Sequence, residues 1–231
     1  SNGIFNSEQA FSVMGIGPQD NIFSIDATEL EQRLKKCPAI RRASVKRQIS
    51  SNPTLLVDID ARIPVAWIDC PELGIHPGDA TYGALADKEG VIFPCMEQVH
   101  MPYIREKRMP SVTLRPPSSG KLSYGVSIRE LEAPMKLIEL LSGTVTEYLP
   151  SIVSITTPND WSFCVRFTND CQATFSHYGL EHQVEKLSRA LRHARQTHRK
   201  ISSINLIPEH NIPVIFDDSY EDIPLAEPIE E

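Results

Sequence analysis

The chain has 231 residues, 41% of them apolar and 23% charged, enough to bury a core in one or two domains. It contains no run of about 18 apolar residues, which excludes a membrane-spanning helix within it. Its net charge of −7 resides in the last fifteen residues: Asp217, Asp218, Glu221, Asp222, Glu227, Glu230 and Glu231 stand there without a base, and the remaining 23 acids face 23 bases.

In chain order, a short helix is predicted over "SEQAFSVMG", capped by Ser7 and stopped by Gly15-Ile16-Gly17-Pro18. A second follows in "DATELEQRLKKCP". Asp26 caps it, Leu30 and Leu34 lie one turn apart, and Lys35 and Lys36 sit at the end favoured by the helix dipole. Two strands come next, joined by a Pro-containing turn. Ala43, Val45 and Ile49 share one face of the first; Leu55, Val57, Ile59 and Ala61 form the apolar face of the second. The helix-helix-strand-strand order is an α+β unit of roughly sixty residues, small for self-sufficiency. An extra strand just upstream of Ile4 would help it. The chain begins Ser1-Asn2-Gly3 without Met, as an excised portion of a longer protein would.

From Ile63 the texture changes to strands and turns. "PVAWID" leads into a Gly/Pro loop, and "TYGALAD" and "GVIFP" form a short hairpin around Lys88-Glu89. Residues 95–127, with Pro102, Pro110, Pro116 and Pro117, read as a long irregular surface excursion. A helix follows in "IRELEAPMKLIELLSG", with Pro134 at the start of its regular part and Leu137, Ile138, Leu140 and Leu141 facing inward. Three strands come after it, the last two turning at Asn169-Asp170. The longest helix spans about 179–200. Leu180, Val184, Leu187, Leu191 and Ala194 make its apolar stripe, with Lys186, Arg189, Arg192, Arg195 and Arg199 on the remainder. "ISSINLIP" and "NIPVIF" close the fold. The segment 217–231, carrying Pro224 and Pro228, reads as an acidic disordered tail, either a solvated segment or a peptide that competes for the chain's basic surfaces.

Catalytic patterns are not found. Gly15-x-Gly17 lacks the third glycine of a dinucleotide loop, and there is no G-x-S-x-G or phosphate loop. His193 and His198, five residues apart, fall on different helical faces. Asp58 and Asp60 share a strand face, as solvated aspartates commonly do, with no apolar pocket to separate their pKa values. Neither an enzyme, nor a cofactor, nor a metal site, nor a small-molecule substrate is expected. The odd, sparse set Cys37, Cys70, Cys95, Cys164 and Cys171 leaves two readings: one Cys70–Cys95 bridge, or free buried thiols. Two basic surfaces stand out. One gathers Arg33, Lys35, Lys36, Arg41, Arg42, Lys46 and Arg47; the other is the long helix. Nucleic acid would favour such patches, but few aromatics interleave and the folded part is neutral, so no nucleic-acid partner is expected.

The stretch from Asp20-Asn21-Ile22-Phe23-Ser24-Ile25-Asp26, through Leu34, Pro38, Ile40, Ala43, Val45 and Arg47, to Pro53, Leu56, Asp58 and then Arg62-x-Pro64-Val65-Ala66 resembles the FtsQ/DivIB family of bacterial division proteins. Asp87-x-x-Gly90-x-x-Phe93 is similar to that family's hairpin, and Trp161, Gly179, Lys186 and Leu187 follow its later pattern. The resemblance implies an α+β fold: a POTRA domain over 1–62 with its first strand truncated, a mostly antiparallel β domain with a long C-terminal helix over 63–216, and the tail 217–231. It implies a non-catalytic scaffold at the septum, recruiting and coupling divisome proteins such as FtsB and FtsL. A single transmembrane helix upstream would anchor it in the inner membrane, with these domains on the periplasmic side. The chain departs from the pattern at Ala61, at Asn205, and at Ile207-Pro208 where the family has Arg-Tyr.

Pro213 lies inside the last predicted strand, where a central strand would lose a ladder bond, so this strand is expected at a sheet edge. Such a margin can accept a strand from another chain. The candidate partner-binding residues are Ile207, Pro208, His210, Asn211, Ile212, Val214, Ile215 and Phe216, centred on 211–216. Arg41, Arg42, Lys46 and Arg47 are the candidate basic surface of the first domain. A POTRA-type chaperone-like module in outer-membrane protein assembly is the alternative, for which tandem repeats would be expected. A basic-surface nucleic-acid binder comes third.

Overall fold

The computed structural model describes residues 4–17, 19–49, 54–143 and 149–217. The fold is α+β, with five helices and eleven strands among those residues, mostly in antiparallel pairs. It divides into two compact units, Ser1–Lys136 and Leu137–Glu231. The expected boundary after Arg62 lies inside the first unit. The expected turn at 50–53 and tail residues 218–231 lie outside the described residues.

Helix α1 (Ser7–Met14) is capped by Asn6, not by Ser7. The Asn6 side chain accepts from the Gln9 N–H at 2.9 Å, and the Gln9 side chain accepts from the Asn6 N–H at 2.8 Å, a reciprocal capping box. Gly15 ends the helix with φ +69°, which glycine adopts without strain. Helix α2 (Ala27–Lys36) starts at Asp26, whose carboxylate accepts from the Thr28 and Glu29 N–H groups, and buries Leu30 and Leu34.

Helix α2 packs on β1 (Ile40–Gln48), which pairs antiparallel with β2 (Thr54–Ala61), and α1 packs on α2. A bulge between Ile40 and Arg42 lets Ile40 share the buried face with Ala43 and Val45, although its parity differs. Ile49 was expected on that face. It lies beyond the end of β1 and is 77% exposed. The Glu31 carboxylate accepts from the Val45 N–H at 3.1 Å, so α2 covers one donor on the outer side of β1.

Strands β3 (Ala66–Asp69), β4 (Ala84–Ala86) and β5 (Ile92–Pro94) form a meander, and β6 (Ser111–Thr113) pairs parallel to β3. Gly90 takes φ +72° in the β4–β5 turn, where its N–H donates to the Asp87 carbonyl. The irregular excursion expected over 95–127 is corrected: it contains helix α3 (Glu97–Arg105) and strand β6. Val99 and Ile104 are buried in one continuous core with Phe5, Met14, Leu34 and Ile40 and with Trp67, Leu85 and Phe93 of the strands.

Pro102 does not break α3. Its missing N–H would have bonded to the Gln98 carbonyl four residues back. The Gln9 side-chain amide donates to that carbonyl instead, at 2.7 Å. Helix α4 (Arg129–Gly143) likewise carries Pro134 inside it, not at its start.

In the second unit, β7 (Ile152–Thr156), β8 (Ser162–Phe167) and β9 (Gln172–Ser176) form an antiparallel meander. Asp170, at φ +63°, closes the β8–β9 turn. Helix α5 (Leu180–Gln196) crosses over to β10 (Lys200–Asn205), which pairs parallel to β9, as a crossover connection requires. Strand β11 (Val214–Asp217) pairs antiparallel to β10, giving the order β11-β10-β9-β8-β7. Phe163 and Phe175, cross-strand partners, stack at 5.6 Å within the core. All five cysteines are free thiols, with no bridge between Cys70 and Cys95. Burial pushes the Cys95 and Cys171 thiols up to about 11, so both are protonated and inert at neutral pH.

Candidate partner-binding edge

Among the described residues, β11 is the terminal strand of its sheet, with β10 on one side and no strand on the other. Ile204 pairs with Val214, Ser203 with Ile215 and Ile201 with Phe216. The Asn205 N–H donates to the Pro213 carbonyl at 3.0 Å. In an antiparallel ladder that bond makes Ile204–Val214 a non-hydrogen-bonded pair, so the Val214 N–H and C=O point to the outer margin. Pro213 therefore removes a donor from the β10 side, while Val214 retains one on the open side.

The strand's two faces differ. Ile201 and Ile204 are buried, and their partners Phe216 and Val214 are half-buried. The Arg199 guanidinium lies 3.5 Å from the centroid of the Phe216 ring, a cation–π contact. Lys200 meets Asp217 at 3.6 Å. Ile215, on the opposite face, is 64% exposed.

The loop before β11 is fixed at its start. Leu206 is buried and its N–H donates to the Thr174 carbonyl. The Asn205 side chain accepts from the Ile207 N–H at 3.1 Å. Lys186 was expected among the exposed cations of the long helix. It is buried, and its ammonium donates to the Pro208 carbonyl at 2.8 Å. Asn211 takes a left-handed φ of +53°, which Asn tolerates better than most residues. Thus Val214, Ile215 and Phe216 lie on the margin strand, while Ile207, Pro208, His210, Asn211 and Ile212 lie on the loop that leads to it. His210 and Asn211 are exposed; Ile207, Pro208 and Ile212 are half-buried.

The basic residues of the first domain do not act as one bare patch. Arg33 pairs with Glu29, Lys35 with Glu31 and Arg41 with Glu89. Arg47 is half-buried and donates to the Ile25 carbonyl. Arg42 and Lys46 are exposed on β1. The Lys35 hydrogen bond, the Val45 N–H and the Lys46 charge together hold the Glu31 carboxyl below its ordinary range.

A groove of about 780 Å³ runs along α5, lined by Leu140, Leu149, Val184, Ser188, Arg189 and Arg192, with Glu181, His182 and Glu185 at its other end. Among the described residues, no group of three or more His, Cys, Asp or Glu is placed to hold a metal, and no helix is long and apolar enough to cross a membrane.

Sequence reading expected an edge strand because Pro213 would lie inside it. Strand β11 is terminal, but Pro213 precedes it and its missing N–H is on the β10 side, so that reason is corrected. The burial of Lys186 was missed. The spacing Leu180, Val184, Leu187 places position 186 beside the apolar stripe, and only the later loop supplies the carbonyl that makes its burial tolerable.

Two helices and an antiparallel strand pair, tied by the hydrogen bond from Arg62 Nε to the Pro38 carbonyl, form the start of the first unit. Residues 2–60 match the family model described as POTRA domain, FtsQ-type, which supports a protein-interaction role of the cell-division kind for that segment. No curated protein matches the chain.

Proposed function

We propose that the chain is a non-catalytic cell-division scaffold that recruits other division proteins by accepting a strand on β11. On this reading residues 1–62 are the POTRA domain, 63–216 the β domain and 217–231 a tail. Its partners resemble FtsB and FtsL. An upstream transmembrane helix anchors it in the inner membrane, with these domains on the periplasmic side.

The observation that supports this reading is the outward-facing Val214 backbone on a terminal strand, beside an Ile215 side chain left open. Three or four added ladder bonds net about 0.5–1.5 kcal/mol each. Association costs roughly 4–15 kcal/mol in lost freedom, so backbone pairing alone gives no stable complex. Covering Ile215 adds about 1.5–3 kcal/mol, which makes the exposed side chain part of the site.

Val214→Pro removes the outward donor and leaves the β10 side intact. It should reduce binding of a soluble FtsB-like segment more than tenfold, measured by calorimetry, with the melting temperature nearly unchanged. Ile215→Asp should weaken the same complex. Unchanged affinity in both variants refutes the reading.

A further inference from the structure

Strands β5 and β11 are finished differently. On β5 the side away from β4 is covered: the Gly125 N–H donates to the Ile92 carbonyl at 2.8 Å, and the Ile92 N–H donates to the Val126 carbonyl at 3.4 Å. On β11, among the described residues, no strand lies on the side away from β10. The Val214 N–H and C=O point out there, and alternation along the strand turns those of Phe216 the same way and those of Ile215 back towards β10. We propose that this margin also pairs with itself: two copies of the chain join antiparallel through β11, about a two-fold axis at Ile215. The pairing uses the surface of the partner site proposed above but needs no partner.

The register carries the argument. An antiparallel ladder bonds outward-facing residues to outward-facing residues. A two-fold pairing also requires every contact to recur with the copies exchanged. An axis at Ile215 meets both conditions inside the strand, since Val214 of each copy then exchanges bonds with Phe216 of the other. An axis at Val214 or at Phe216 instead sets Phe216 opposite position 212, or Val214 opposite position 218, beyond the ends of β11. With the axis at Ile215, that residue meets its own copy as a non-hydrogen-bonded pair, the closer kind, with Cα atoms about 4.5 Å apart. Its side chain, 64% exposed in one chain, is covered by its counterpart on the same sheet face. Like charges do not meet: Asp217, the one charged residue of β11, stands opposite Pro213 of the second copy and keeps Lys200 beside it at 3.6 Å. Pairing through four residues stays below the roughly 1,200 Å² of a standard stable interface, so the dimer is weak and reversible. It occupies the same outward groups that a partner strand takes, so a rising partner concentration pulls the dimer apart.

The test begins with the full chain alone. In sedimentation equilibrium its weight-average mass should rise from 25.9 kDa towards twice that value as concentration climbs through about 0.1–1 mM. Val214→Pro removes an outward donor from each copy and should keep the monomer mass over the same range. Single cysteines read the register. Under copper–phenanthroline oxidation Ile215→Cys should form a disulfide dimer roughly tenfold faster than Val214→Cys, because only position 215 faces itself within disulfide reach. The native chain, whose Cys37 and Cys164 are half-buried, supplies the background. A monomer at every concentration, a Val214→Pro chain that still dimerises, or equal cross-linking at 214 and 215 each overturns the proposal. A monomer that still binds the FtsB-like segment overturns self-pairing and leaves the partner reading intact; a dimer that ignores the segment does the reverse.

Discussion

The Arg62 guanidinium lies 2.6 Å from the Asp87 carboxylate, and both side chains are largely withdrawn from solvent. Asp87 also accepts from the Glu89 and Val91 N–H groups at 3.0 and 2.9 Å, while Arg62 Nε donates to the Pro38 carbonyl. One ion pair thus ties the end of the POTRA hairpin to the turn between β4 and β5. Asp87→Ala leaves a buried guanidinium without its counter-charge and two turn amides without an acceptor. Urea unfolding should show a loss of about 3–5 kcal/mol. Asp87→Asn, which keeps an acceptor oxygen, should lose less.

His100 is fully buried on α3, with its ring 5.4 Å from Phe93. Nδ1 accepts from the Met96 N–H at 2.9 Å, which requires the neutral ring. Burial pulls its pKa down from 6.5 to about 4. Between those values the unfolded chain binds the extra proton and the folded chain does not. Stability is therefore full above about pH 6.5 and declines as pH falls towards 4, by roughly 3 kcal/mol for this group. His100→Phe should be less stable at pH 7, having lost the Met96 acceptor, but should show a flatter pH profile from 6.5 to 4.5. Glu31 and Asp79, whose pKa values are lowered by their hydrogen bonds, lose their contributions at more acidic pH.

Lys186→Met retains the buried stem and removes the bond to Pro208. Replacing a buried charge by an apolar group of similar size is neutral or stabilising for global unfolding. The loop at 206–213 should loosen, with amide exchange at Ile207 speeding by about 1 kcal/mol of lost protection. An effect on β11 binding without a change in midpoint would identify Lys186 as a positioning residue for the margin.

Gln9 serves two helices at once. Gln9→Ala should cost about 1–2 kcal/mol in chemical denaturation, from the α1 cap and the Gln98 carbonyl together. Gln9→Glu can still accept from the Asn6 N–H but cannot donate to Gln98. It should recover only the capping share.

Local signals were the legible ones. Asp26, Leu30 and Leu34 place α2 because cap and spacing are short-range, and the alternation of Leu55, Val57, Ile59 and Ala61 places β2. Pro213 suggested a sheet edge by a reason the structure does not follow, since it precedes β11 and its missing N–H is on the β10 side. What failed depended on distant partners. Pro102 read as a breaker because nothing near it in sequence shows that Gln9 will take over its carbonyl. Lys186 read as exposed because its acceptor lies 22 residues away. Arg62 and Asp87 were both noticed as motif residues, yet their pairing across 25 positions is a tertiary fact. Ile49 failed for a local reason, since the strand ends one residue before it.

Because α3 shares its apolar interior with α1, α2 and the first hairpin, transplanting the POTRA fold by cutting after Arg62 would strip Val99 and Ile104 from its underside. The heritable, exchangeable block is longer than the segment the family match covers. A chimera between relatives should keep its solubility only when the donor's α3 travels with the donor's hairpin, and selection on one should register as compensating change in the other.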